Sequence, residues 1–283
     1  MKCIVTAVLT GAAMLAATVA MQGCGVLGGP PTGAAVSAGP GDSDSTVVIS
    51  WTTPAEGAPD KYIVHFQPVT GSGFTAVGET RATSYAHNPH GMTGQYRVTA
   101  VFGADSFEAA EKPTTVPVAG GAVTLFEINA DSSRCAFGWS RDSGIGRGVF
   151  AMTESANCAS VDFYVSDRQA GFGDSLLDII SPNVDSIDSG AGIVPSAAWR
   201  RNGFANPVSD PMSPVPSFVS PPNGNYFIFT VINQSPCCVP CYTAGDTVKR
   251  YALIQVDSTD LATGRAWLQS WYQLVPGLRL MRH

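Results

Sequence analysis

Residues 94–101, GQYRVTAV, contain the pattern that decides the fold. From Tyr96 onward every second residue is apolar or small, which is the two-residue period of a strand with one buried face. Residues 47–51, VVISW, and residues 61–66, KYIVHF, repeat this period. Glycines and prolines separate such stretches at intervals of roughly 8 to 12 residues, a spacing typical of β-sandwiches. The sequence therefore predicts an all-β fold.

Residues 46–118 resemble a fibronectin type III domain, a sandwich of the immunoglobulin-like kind. The matching residues are Trp51 on the second strand, residues 61–64 on the third and Tyr96 on the sixth. The resemblance implies that the tryptophan packs between two sheets and that the tyrosine makes a corner hydrogen bond that locks a Greek-key crossover. Integrin binding is not implied, because the loop at 102–106 reads FGADS and lacks an Arg-Gly-Asp tripeptide.

Residues 1–23 have the features of an export signal: one basic residue, an apolar run at 4–20 and a small residue directly before Cys24. The segment resembles the bacterial lipobox family, although Met21 and Gln22 differ from the usual leucine and alanine or serine. The resemblance implies cleavage before Cys24 and lipidation of its sulfur, which would anchor the protein to a membrane. A plain secretory signal with cleavage nearby is the alternative.

Residues 24–45 are rich in Gly, Pro, Ala, Ser and Thr, a composition that predicts a flexible tether behind the lipidated cysteine. Gly25 stands where an aspartate tends to retain lipoproteins in the inner membrane. By resemblance to outer-membrane lipoproteins, we therefore expect a lipid-anchored protein of the cell envelope, on the outer membrane.

The charge balance excludes nucleic acid as a partner. The chain has 16 basic and 22 acidic residues, a formal net charge of -6 at pH 7. Proteins that bind nucleic acid gain affinity from clustered lysine and arginine. The longest basic group in this sequence is the pair Arg200 and Arg201.

Residues 120–283 continue the β pattern without the fibronectin signature and predict a second, larger antiparallel β-sandwich. The segments 251–256 and 266–273 predict a hairpin, and the proline-rich stretch 195–225 predicts a long surface loop. The motifs YALIQV at 251–256 and YQLVPG at 272–277 resemble the all-β carboxyl-terminal domains of exported bacterial lipoproteins. Some proteins of that shape capture haem with paired histidines, but this region has only His283, and no cofactor is expected.

Five cysteines follow Cys24, and export makes disulfides the expected state. A hairpin centred near residue 146 would bring Cys135 across from Cys158, which makes this the first predicted bridge. Cys238 and Cys241 form a C-x-x-C that predicts a short-loop disulfide. A redox pair, a structural zinc site and covalent haem attachment are weaker alternatives, because neither the flanking residues nor the remaining cysteines suit them.

One enzyme motif opposes a non-catalytic interpretation. Residues 172–178, FGDSLLD, match the first block of the GDSL esterase family, in which the serine, here Ser175, is a nucleophile. That chemistry needs a late Asp-x-x-His, and the position three residues before His283 is Leu280. Chance similarity in a loop is therefore the preferred interpretation.

Metal binding is not expected. The pair His87 and His90 lacks a third ligand nearby in the sequence, and Asp185 and Asp188 lack the alternating acids of a calcium loop.

The sequence favours a non-catalytic binding or adhesion module. Protein, glycan and envelope components are the candidate ligands, and a GDSL-like esterase or a purely structural spacer are the alternatives. Exposed tryptophans would be the platforms for a glycan, although strand tryptophans more often pack in cores. The candidates are Trp139, Trp199, Trp267 and Trp271.

Overall fold

The computed structural model describes residues 28–40, 46–167, 177–182, 192–194, 198–204, 228–230, 237–243 and 249–283. Within these ranges the chain is β-structure with two short 3-10 turns, Ser132–Arg134 and Ser155–Asn157, and no α-helix. No helix in these ranges is long and apolar enough to cross a membrane. The predicted signal and Cys24 lie outside the described residues, so the lipid anchor stays a prediction.

The first module consists of a three-stranded sheet in the order β1-β2-β5 and a four-stranded sheet in the order β4-β3-β6-β7. All the strand pairs are antiparallel. This arrangement is a fibronectin type III-like sandwich and confirms that prediction. The strands are β1 (Thr32–Ala38), β2 (Val47–Thr52), β3 (Lys61–Pro68), β4 (Thr75–Thr80), β5 (Ser84–His87), β6 (Gly94–Phe102) and β7 (Asp105–Glu108).

The alternating apolar residues of the first module face its core, as the two-residue period requires. Trp51 lies between the sheets and meets Tyr62 edge-on, with ring centroids 5.1 Å apart. Tyr96 is fully buried, and its hydroxyl shares a hydrogen bond of 2.9 Å with Nδ1 of His87 on β5. The tyrosine therefore ties β5 to β6 through a histidine side chain.

The first strand lies inside the predicted tether, so that prediction is wrong for residues 32–38. β1 pairs with β2 along most of its length, with Val36 opposite Ile49. Ala34 is buried in the core, and Val36 packs against it. Small side chains suffice here because an edge strand gains its backbone hydrogen bonds from the neighbouring strand.

The second module consists of two five-stranded sheets, in the orders β10-β9-β11-β12-β14 and β13-β15-β16-β17-β8. Apolar residues from both sheets form one core around Trp139, Phe163, Ile254 and Leu268, which confirms the predicted larger antiparallel sandwich. Its strands are β8 (Val118–Phe126), β9 (Ala136–Trp139), β10 (Gly146–Phe150), β11 (Phe163–Ser166), β12 (Asp178–Ile180), β13 (Asn202–Phe204), β14 (Ile228–Thr230), β15 (Cys237–Thr243), β16 (Tyr251–Asp260) and β17 (Arg265–Tyr272).

The segment after β17 leaves the second module and packs into the first. Val275, Leu278 and Leu280 are buried in the core of the fibronectin-like sandwich. The Gln273 side-chain amide donates to the carbonyl of Thr115, 2.9 Å away, and to that of Leu280, 2.8 Å away. Residues that the sequence assigns to the second domain therefore complete the first, which fastens the two modules together.

Candidate functional site

Two of the four candidate tryptophans are core residues and cannot be ligand platforms. Trp139 is fully buried, stacks on Tyr272 with centroids 5.8 Å apart and donates its indole N–H to Ser270. Trp199 is 5% exposed and donates its indole N–H to the carbonyl of Val194. The role proposed for both from sequence is wrong, because both rings and their polar N–H groups are satisfied inside the protein.

The other two candidates lie on the outward side of β17. Ala266, Leu268 and Tyr272 face the core, so the alternate residues of the strand face outward. These are Arg265, Trp267, Gln269 and Trp271, and their side of the sheet is called the tryptophan face below. Trp267 is 36% exposed, an unusual exposure for the largest apolar side chain. The Trp267 ring is therefore exposed on the outer surface of a hydrogen-bonded β-sheet.

Polar and small residues surround the Trp267 ring. On β16, the Asp257 carboxylate accepts hydrogen bonds from the amides of Gln255, at 2.7 Å, and Gln269, at 2.9 Å. On the other side, β8 places Thr124 opposite Trp267 and Ala122 opposite Gln269. These short side chains on β8 leave that flank of the indole open.

The end of the tryptophan face near Trp271 is covered by the chain itself. His283 stacks on Trp271 with centroids 3.7 Å apart and an interplanar angle of 21°. Leu253, the β16 neighbour of Trp271, is fully buried. Burial lowers the pKa of His283, which favours the neutral form of its ring. Trp271 is therefore shielded, and Trp267 is the accessible aromatic group of this face.

The predicted bridge between Cys135 and Cys158 is not formed. Both cysteines are free and buried, in one apolar cluster with Trp199. The register of the hairpin explains the difference: Ala136 pairs with Phe150, so the position opposite Cys135 falls before the second 3-10 turn, whereas Cys158 follows that turn. The sequence alone misplaces the end of the hairpin.

The predicted bridge between Cys238 and Cys241 conflicts with the backbone. Both residues lie within β15, paired without a register shift to Gln255 and Ala252 of β16. A strand rises about 3.3 Å per residue, which separates Cα atoms three residues apart by about 10 Å. A disulfide needs Cα atoms within about 7 Å. The loop expected around this motif is instead a strand.

The surroundings of His65 and His87 in the first module lower the pKa values of both side chains. Burial lowers the pKa of His87, and the nearby His90 lowers it further. Burial and the Arg97 charge lower the pKa of His65. No group of three potential metal ligands occurs among the described residues. Ser175, Asp185 and Asp188 lie outside those residues.

Comparison of the sequence with known protein families does not assign the chain to a family. No family model and no curated protein matches the chain. Among solved structures, the crystal structure of FN3tt is 17% identical, covering 30% of this chain and 92% of that one, with a TM-score of 0.24. The structure of FN3tt mut is 18% identical, covering 29% and 90%, with the same TM-score of 0.24.

The structure of titin kinase and its flanking domains is also similar in part. It is 13% identical and covers 87% of this chain but 37% of that one, with a TM-score of 0.27. None of these values supports an argument about function. The fibronectin-like assignment of the first module rests on its strand order.

Proposed function

We propose that the protein is a non-catalytic binding module of the cell envelope that holds a glycan on the tryptophan face. The carrying observation is the exposed Trp267 ring beside the amide and carboxylate groups of Gln269 and Asp257. A sugar ring has an apolar C–H face that stacks on an indole and hydroxyls that pair with such polar groups. A binding site of this kind needs no catalytic residues.

The Asp257 carboxylate favours a neutral sugar over an acidic one at Gln269. It accepts hydrogen bonds from two neutral amides, those of Gln255 and Gln269. Arg265 precedes Trp267 by two residues on the same side of β17, with its guanidinium 5.1 Å from the Phe126 ring centroid. An acidic sugar placed over Gln269 would meet the aspartate with like charge.

Lipid attachment through Cys24 is part of the proposal and rests on the sequence of residues 1–24. The lipid would hold the two β modules at the outer membrane. Replacing Cys24 by serine and fractionating the cells tests it: we expect release of the protein from the membrane fraction. Unchanged membrane attachment contradicts the anchor.

The binding proposal is tested by incubating the purified protein with immobilised cellohexaose, chitohexaose and mannan. The wild type is expected to bind at least one of them, and Trp267→Ala is expected to lose that binding. Ile145→Ala is the matched control, because Ile145 is 56% exposed and lies on the β9-β10 turn rather than on β8, β16 or β17. Failure of the wild type to bind any of the three contradicts the proposal and favours a structural spacer.

The esterase alternative is tested separately with a short acyl ester. The binding proposal predicts no turnover by the wild type. Turnover that disappears in Ser175→Ala would replace the proposal by the esterase interpretation.

A further inference from the structure

An ionic cluster lies in the second module, where the chain after β9 meets the segments before β11 and β13. Its centre is Asp162, which is fully buried before β11. One carboxylate oxygen accepts from Arg141 at 2.8 Å and the other from Arg200 at 2.9 Å. Asn202 and the backbone N–H of Trp139 also donate to this carboxylate. Asp162 therefore has no acceptor capacity left for a further cation.

A third guanidinium joins the cluster through Ser160. Arg147 on β10 is exposed and donates to the Ser160 hydroxyl at 3.2 Å. Arg200 donates to the carbonyl of the same serine at 3.5 Å. Arg147 and Arg200, which are far apart in the sequence, thus both donate hydrogen bonds to Ser160.

Both guanidiniums keep unused donors. All the hydrogen bonds of Arg200 are made by one terminal nitrogen, and Arg147 uses one nitrogen as well. Among the described residues, their other N–H groups donate to no protein acceptor. An arginine has five N–H donors in a planar fork, which matches the paired oxygens of an oxyanion.

Three guanidinium groups lie close together in the cluster. Arg141 and Arg200 share the buried carboxylate of Asp162, and Arg200 is only 17% exposed. Burial and the charges of Arg141 and Arg147 lower the pKa of Arg200, although Asp162 acts in the opposite direction. Asp142, next to Arg141 in the β9-β10 turn, is exposed to solvent. Guanidinium groups removed from water without full compensation favour the uptake of an anion.

We propose that Arg147 and Arg200 form an anion site beside Ser160 that binds a phosphate or sulfate group. The unused N–H groups of the two guanidiniums would donate to the oxyanion. Asp162 would hold Arg200 and Arg141 in position through its two carboxylate oxygens. The group could belong to a free anion, a sulfated polysaccharide or a phospholipid headgroup, which share this chemistry.

The site is tested on the full chain in detergent by isothermal titration with inorganic phosphate and with sulfate. The wild type is expected to bind at least one of them, and Arg147→Gln is expected to bind it at least 10-fold more weakly. Arg81→Gln is the control, because Arg81 is exposed on the first module and donates to the carbonyl of Asp60. Among the described residues the hydrogen bond of Arg147 goes to Ser160 and not to Asp162, so this variant keeps the buried Asp162 pairs intact.

Two further arms identify the source of the group. Dextran sulfate tests a polysaccharide, and vesicles of phosphatidylglycerol compared with phosphatidylcholine test a lipid headgroup. Loss of binding in Arg147→Gln in any arm supports the site and names its source. Absence of binding in every arm, or equal binding by the wild type and Arg147→Gln in every arm, overturns it.

Discussion

Replacing Leu278 by alanine tests whether the segment after β17 belongs to the core of the first module. Leu278 is fully buried in that core, although it follows the last strand of the second module. The substitution removes three carbon groups, worth about 0.8 kcal/mol each for transfer from water, or about 2.4 kcal/mol. A cavity that does not collapse adds to this loss. We therefore expect the free energy of unfolding to fall by about 2.5 to 3 kcal/mol.

Urea denaturation followed by tryptophan fluorescence measures the loss, since Trp51 reports on the first core and Trp139 on the second. Ile145→Ala is the control, because an exposed side chain changes stability by about 0.5 kcal/mol or less. If Leu278→Ala also stays within about 0.5 kcal/mol of the wild type, the segment is not part of the core. The fastening of the two modules would then be refuted.

Three other predictions concern buried polar groups. Burial holds the pKa of His87 below its ordinary value of 6.5, so the unfolded state binds more protons than the folded state. The free energy of unfolding should therefore be highest above about pH 6.5. It should fall as the pH drops toward the folded-state pKa, by at most about 1.4 kcal/mol per pH unit. His87→Gln should flatten this slope in thermal melts between pH 7.5 and 5, and an unchanged slope contradicts the assignment. Burial raises the pKa of the Cys135 thiol to about 12, so iodoacetamide at pH 8 should modify it only after unfolding; modification in the native state, or a peptide linked to Cys158, would contradict this. Asp162→Asn leaves two half-buried guanidiniums without their carboxylate and should cost about 3 kcal/mol in urea denaturation, whereas a loss below about 1 kcal/mol would show that the pairs are not structural.

The sequence predicts the strands whose inward residues are large. The period of apolar residues locates β2, β3 and β6, and Trp51 and Tyr96 indicate the fibronectin-like arrangement. β1 is not predicted because its composition is that of a linker. Ala34, Val36 and Ala38 nevertheless follow the same two-residue period. Period is therefore the better guide than composition when the inward residues are small.

Features that depend on long-range packing are not predictable in this way. The alternation of β17 shows that Trp267 and Trp271 share a face, but only the folded sheet shows which face is outward and that His283 covers one ring. The cysteine pairing depends on where the β9-β10 hairpin ends. The arginines around Asp162 lie up to 59 residues apart in the sequence, between 141 and 200, so no local motif marks them.

The most direct test of the account is the affinity of the wild type and of Trp267→Ala for the oligosaccharide that the wild type binds, measured by isothermal titration. Stacking on an aromatic ring is worth about 0.5 to 1.5 kcal/mol beyond the buried area. Since about 1.4 kcal/mol is a factor of ten in affinity, the loss of stacking alone predicts a dissociation constant about 2- to 12-fold higher for Trp267→Ala, with a further increase from the lost buried area, and no change for Ile145→Ala. Equal affinities of Trp267→Ala and the wild type would contradict it.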